Sequence, residues 1–248
     1  FIGILVGPVV GAIAAVSWRN VFWIYLLGAV IFFITLFFIP EPPKEEKSEA
    51  KKANKLPKAV WMYALFMMLH RLAFFVVPAN LSVFVEENSW GGATLSGWAI
   101  SAITLASFFT SMSFSIVFKA IHRWLGMLSV FLLALGFTVL LLADGIVGLM
   151  IAMLLFGIGQ GYLFPLLLYQ TAQVCSGEKR TFAIALVSSC RFLAQFIVPY
   201  VFGGLGWVFN ATAIRDSFTF SLIPLTLVAF GGSLWLLLKP KKLVAVSD

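Results

Sequence analysis

The sequence predicts an all-α integral membrane protein, and three observations carry that prediction. Of 248 residues, 61% are hydrophobic and only 11% are charged, with mean hydropathy +1.02. Soluble domains are about half apolar and about a quarter charged. The apolar residues fall in long runs separated by short polar breaks. The runs are much longer than the roughly 10-residue alternating strands of a membrane β-barrel. In lipid, a backbone without water must pair within its own segment, so each run is expected to be a helix. This composition excludes a soluble enzyme, a disordered chain and a conventional nucleic-acid binder.

Eight segments are expected: 1–16, 21–39, 59–85, 91–118, 125–143, 146–174, 182–205 and 218–238. The first is short and opens in apolar sequence without Met, a basic n-region or a small-residue cleavage site. It therefore reads as a span cut from a longer chain rather than as a signal peptide. Between the second and third segments, residues 40–58 hold six Lys and four Glu with Pro40, Pro42, Pro43 and Pro57. That composition is a linker's. The other breaks are brief and polar.

Lys and Arg set the expected orientation. With the 40–58 linker in the cytoplasm and the spans alternating, 13 of the 17 basic residues fall on the cytoplasmic side. Only Arg19 and Arg215 are outside, and Arg71 and Arg191 lie within spans. This asymmetry is the positive-inside pattern. It places the inter-span loop and the C-terminus in the cytoplasm of a multi-pass protein of the cell (plasma or inner) membrane. The net charge of +7 resolves into +7 inside, −2 outside and +2 within the membrane. No interleaved nucleic-acid-binding aromatics accompany it, so no nucleic-acid partner is expected; the lipid bilayer and a small molecule are.

In the first segment Gly3, Gly7 and Gly11 recur at i, i+4 and i+8 beside Pro8. They make one smooth helix face on which a second helix can approach closely, with a proline-favoured kink. Taken alone, this could be an ordinary packing face. The fuller pattern is GxxxGPxxG, a Trp18-Arg19 turn, and a second helix ending in Ile-Pro-Glu-Pro. It resembles the fifth helix and its surroundings in major facilitator superfamily transporters, particularly the drug:proton antiporter branch. Gly157, Gly159 and Gly161 are similar to that family's glycine-rich tenth helix. No strand precedes them, so a dinucleotide role is not expected. The loop around Lys119 to Trp124 matches the family's cytoplasmic motif poorly.

The resemblance implies a 12-helix fold of two six-helix halves, of which this chain would hold eight helices. Residues 1–39 would be the last two helices of the N-terminal half. Residues 40–58 would be the cytoplasmic inter-half loop, and 59–248 the C-terminal half with a short tail. About one third of a full-length protein would then be absent. Depth suggests that the glycine face of the first segment packs on the small residues of 91–118, including Ser96, Gly97, Ser101, Ala102 and Ala106. Gly3, Gly7, Pro8 and Gly11 would then form a packing and gating motif at the outer gate.

A charged side chain at mid-membrane costs about 2.5–3.5 kcal/mol on insertion scales and normally faces a cavity or a partner. Arg71, Gln160, Arg191 and Gln195 sit near the centres of their segments, and the resemblance places those helices beside a central cavity. They are the candidate substrate-binding residues. The competing reading is structural: each Arg pairs with a carboxylate elsewhere or with backbone carbonyls. No Asp or Glu lies inside a span. His70 is thus the candidate proton-coupling group, set against a simpler role as a hydrogen-bonding packer. Two buried arginines favour an anionic or zwitterionic cargo. Phe74, Phe75, Phe164 and Tyr169 are candidate cargo contacts.

Phosphate-binding, zinc-protease and paired-cysteine motifs are lacking, so neither an enzyme, a metal site nor a cofactor is implied. The leading expectation is a secondary transporter working by alternating access, exporting a small molecule against inward proton flow, with H+ as coupling ion and a monomer as the working unit. The alternatives are a symporter or facilitator for a sugar or organic anion and, from a different class, a membrane-embedded lipid-modifying enzyme.

Overall fold

The structure, a computed structural model, describes residues 10, 12, 13, 16–38, 56–121, 124–210 and 213–225. Gly3, Gly7, Pro8 and Gly11, most of the 40–58 linker, and the chain beyond 225 lie outside the described residues. So does the expected contact of the first glycine face with 91–118.

A 3-10 turn, Trp18–Tyr25, leads into helix α1, Leu26–Phe38. Five long helices follow: α2 (Lys58–Glu87), α3 (Ala93–Ile121), α4 (Leu125–Leu142), α5 (Ile146–Gln173) and α6 (Glu178–Phe209). A further helix, α7, is described over 214–225. Among the described residues, six of the expected spans are long and apolar enough to cross a bilayer. At 1.5 Å rise per residue, the 30 residues of α2 extend about 45 Å, longer than the hydrocarbon core of a bilayer. The helices overrun the apolar runs because polar ends continue the helix into the headgroup region. Residues 178–181 at the start of α6 are one example.

Packing divides α2–α6 into two groups. α3, α4 and α5 pack closely, with α5 between the other two, while α2 pairs with α6. Contacts of α5 with α6, and lighter ones of α2 with α3 and α5, join the groups. A buried seam of Phe74, Phe156, Phe137, Phe218 and Phe84 runs through the bundle, with successive rings edge-on or tilted at 4.8–6.4 Å. Outward-facing apolar side chains such as Trp61, Phe131, Val147 and Phe196 are exposed. On a soluble protein, that much exposed apolar surface would mark an interaction site or an aggregation hazard; here it is the face a bilayer covers. α1 is exposed along its described side chains and contacts mainly the 3-10 turn before it.

The glycine run of α5 explains the tight α3–α4–α5 packing. Residues four apart share a helix face, whereas residues two apart are turned by about 200°. Gly157 and Gly161 accordingly both meet α3. A Cβ on Gly157 would stand 2.5 Å from the Ile103 carbonyl oxygen and from the Ala106 Cβ. One on Gly161 would stand 2.8 Å from the Ser107 carbonyl oxygen. Gly159 points to the other side, where a Cβ would lie 2.8 Å from both Leu133 and the Ser129 carbonyl oxygen. The run GxGxG therefore makes two helix contacts, one on each side of α5.

Two interhelical hydrogen bonds reinforce this contact. Ser107 Oγ donates to the Gly157 carbonyl and Ser111 Oγ to the Gly161 carbonyl, both at 2.9 Å. The second has a local cause. Pro165 has no N–H, so the Gly161 carbonyl four residues earlier lacks its helical donor, and Ser111 supplies one. Ser107→Ala is expected to lower stability by about 0.6 kcal/mol, a typical value for an interhelical hydrogen bond in a membrane protein. Ser111→Ala should approach the upper measured value of about 1.7 kcal/mol, because no helical N–H replaces it. Unfolding of the purified protein in mixed micelles measures both, and equal losses would refute the role assigned to Pro165.

Candidate functional site

A cavity of about 310 Å³ lies between the two helix groups, within the size range of small-ligand sites. Arg71, Gln160 and Arg191 all line it. Three of the four sequence-predicted residues, from α2, α5 and α6, are thus brought together. Gln195 is the exception. It is half-buried on α6 and does not line the cavity. It shares the helix face of Arg191, but one turn, about 5.4 Å, carries it past the cavity. Gln195→Leu is expected to leave cargo affinity within about twofold, or ~0.4 kcal/mol. A tenfold loss in equilibrium binding would restore it to the site.

The local helix pattern builds the α2 wall. Arg71, Phe74, Phe75 and Pro78 are spaced i, i+3, i+4 and i+7, one continuous face, and all four line the cavity. The Arg71 guanidinium lies 4.9 Å from the Phe74 ring centroid and 5.3 Å from that of Phe75. Arg191 lies 4.5 Å from the ring of Phe164 on α5 and 5.8 Å from Phe192 on its own helix. The two arginines are close enough for their charges to interact. Among the described residues, neither has a carboxylate partner, and the Nε of each lacks a hydrogen bond. Cation–π contacts contribute about 0.5–2 kcal/mol, less than the several kcal/mol needed to desolvate a buried charge. Among the described residues, the rings offset only part of the cost of burying the two charges.

His70 is 3% exposed, and its ring stacks on Phe74 at 6.4 Å between centroids. Neither ring nitrogen has a hydrogen-bond partner among the described residues. Gln160 lies close by, but its Oε1 also lacks a hydrogen bond. His70 is not on the cavity lining; it stands directly behind it. Of the candidate aromatic contacts, Phe74, Phe75 and Phe164 line the cavity, whereas Tyr169 does not. Tyr169 packs on Phe118 at 5.0 Å, one turn beyond Pro165.

Sequence reasoning missed the α3 wall. Ile100, Ile103, Thr104, Ser107 and Ser111 line the cavity at i, i+3, i+4, i+7 and i+11, again one helix face. That face was readable as a stripe of small and hydroxyl residues, but the same stripe also suits plain helix packing. A larger cavity, about 830 Å³, opens near the far ends of α2 and α6 beside Asn80, Pro199 and Asn210. It has no charged lining residue, so the smaller cavity is the better candidate despite its size.

The family description "Major Facilitator Superfamily" matches residues 1–199 and, in a second overlapping placement, 63–248. The chain belongs to the major facilitator superfamily. Solved structures of the peptide transporter POT, a point mutant crystallised with sulfate or with alafosfalin, share its fold. The sulfate complex superposes with TM-score 0.55 at 20% identity, over 71% of this chain and 38% of that one. The alafosfalin complex gives 0.55, 19%, 72% and 38%. The chain thus spans under two fifths of these transporters' length. No curated protein sequence matches it. Membership of this superfamily agrees with the multi-pass helical architecture and sets Arg71 and Arg191 in a transporter fold.

Proposed function

We propose that this superfamily member is a secondary transporter, not an enzyme, that moves a small solute bearing an anionic group by alternating access around the 310 Å³ cavity. One observation carries this reading: two guanidiniums converge on a shared cavity, held by aromatic rings and unneutralised among the described residues. An anion placed between them would offset the cost of burying both. The single-sided Lys/Arg distribution supports a cytoplasmic linker and C-terminus, and the division at residues 40–58 supports two halves that rock against each other. Neither reading requires an oligomer.

The GxxxGPxxG pattern of residues 3–11 supports proton-coupled export, with His70 as the proton-carrying group behind the cavity. Organic-anion symport is the second reading, favoured by the two guanidiniums that line the cavity. Proteoliposomes holding the full-length protein and a pH-sensitive dye distinguish them. Antiport predicts that adding an anionic cargo drives protons opposite to cargo movement; symport predicts the same direction for both. Cargo-independent leakage alone, with no saturable uptake of any organic anion tried, would reject the transporter reading.

A further inference from the structure

The cavity has two chemically opposite walls. On the α2–α6 side, the polar groups are Arg71 and Arg191, which can only donate hydrogen bonds. On the α3 side, they are the hydroxyls of Thr104, Ser107 and Ser111. Each of these hydroxyls already donates its one proton to a backbone carbonyl. Thr104 donates to Ile100 at 3.0 Å, Ser107 to Gly157 and Ser111 to Gly161, the latter two at 2.9 Å. What each hydroxyl has left is lone pairs.

Ser111 is not at liberty to reverse its role. Were Ser111 to turn its proton toward a bound solute, the Gly161 carbonyl would lose its donor. Pro165 ensures that no helical N–H stands in, and an unpaired carbonyl in a membrane interior is costly. Ser111 is thereby held as an acceptor at the α3 wall, its proton committed to Gly161 at 2.9 Å, beside the lone pairs of Thr104 and Ser107.

We infer that the cargo is dipolar, with an anionic group held between Arg71 and Arg191 and a hydrogen-bond-donating group, such as an ammonium, facing Thr104, Ser107 and Ser111. This rests on the reading of Arg71 and Arg191 as an anion site and names the other end of the solute. A plain anion leaves the acceptor wall facing apolar atoms. A plain cation meets the two arginines.

Matched probes test this on the full-length protein in nanodiscs: ε-aminocaproate, which carries both groups, caproate, which lacks the amine, and hexylamine, which lacks the carboxylate. Equilibrium binding should rank ε-aminocaproate above caproate by about tenfold or more, the value of a hydrogen bond to a charged donor, with hexylamine weakest. Thr104→Val, whose hydroxyl bonds only within its own helix, should shrink the ratio of the first two affinities several-fold. Ser111→Ala should do so as well, and Thr104→Val decides the matter if that variant does not fold. Equal binding of ε-aminocaproate and caproate, or a ratio unchanged by Thr104→Val, overturns the dipolar cargo while leaving the anion site standing. Binding of both probes that survives Arg71→Met and Arg191→Met overturns the anion site and this inference with it.

Discussion

Arg71→Met and Arg191→Met are each expected to weaken cargo binding by about 2–4 kcal/mol, roughly thirty- to nearly a thousandfold, while raising the melting temperature of the cargo-free protein. The loss follows from removing one arm of a buried charged contact, which costs 2–5 kcal/mol at desolvated sites. The gain in stability follows from the unloaded state. Two like charges share one cavity, compensated among the described residues by the rings of Phe74, Phe75, Phe164 and Phe192. Methionine keeps length and apolar packing without the charge. A structural arginine, paired with a carboxylate outside the described residues, predicts the reverse: lower melting temperature and largely retained binding. Lysine at either position should lie between, since it keeps the charge but not the planar fork that holds a carboxylate by two bonds. Equilibrium binding and thermal unfolding of the same preparations separate these outcomes.

Gly157→Leu should have the largest effect on stability. Even the first carbon added at Gly157 falls 2.5 Å from the backbone oxygen of Ile103 and 2.5 Å from Ala106. Backbone cannot swing aside as a side chain does, so α3 and α5 must separate. Separation also breaks the Ser107 and Ser111 hydrogen bonds, which bridge the same two helices. Overpacking alone typically costs 1–3 kcal/mol, and loss of both bonds adds about 2 kcal/mol more. The expected sum, about 3–5 kcal/mol, would unfold many membrane proteins on extraction. Gly204→Ala is the control, because nothing lies within 4 Å of its added carbon among the described residues. Monodispersity and melting temperature in detergent should be unchanged for Gly204→Ala and severely reduced for Gly157→Leu. Similar behaviour of the two would show that the α3–α5 contact is looser than described.

Much of the site was readable before any coordinates. A polar group in a long apolar run is expensive, so it stands out, and Arg71, Gln160 and Arg191 stood out for that reason. Gln195 met the same criterion and lies outside the cavity. Depth along a helix is recorded in sequence, but the level at which a cavity closes is set by neighbouring helices. The hydroxyls of Thr104, Ser107 and Ser111 were overlooked because Ser and Thr cost little in a membrane helix, where each can bond to a backbone carbonyl. The signal for Ser111 was nonetheless present: Pro165 announces a carbonyl in need of a donor. Which helix would answer it was not.

The sequence by itself determined that this is a multi-pass helical membrane protein, with spans close to those observed for the described residues and with four mid-membrane polar groups, Arg71, Gln160, Arg191 and Gln195, that need a reason to be there. The hydrophobic effect and backbone satisfaction act segment by segment, so a linear record holds them. Only the tertiary structure decided that Gly157 and Gly161 serve α3 while Gly159 serves α4, that the two arginines rest on aromatic rings rather than carboxylates, and that the cavity has a donor wall and an acceptor wall. Those facts depend on which faces of separate helices meet and at what level. Contacts at 50 residues' separation, such as Ser111 with Gly161, are fixed by packing, and a single sequence carries no term that couples them.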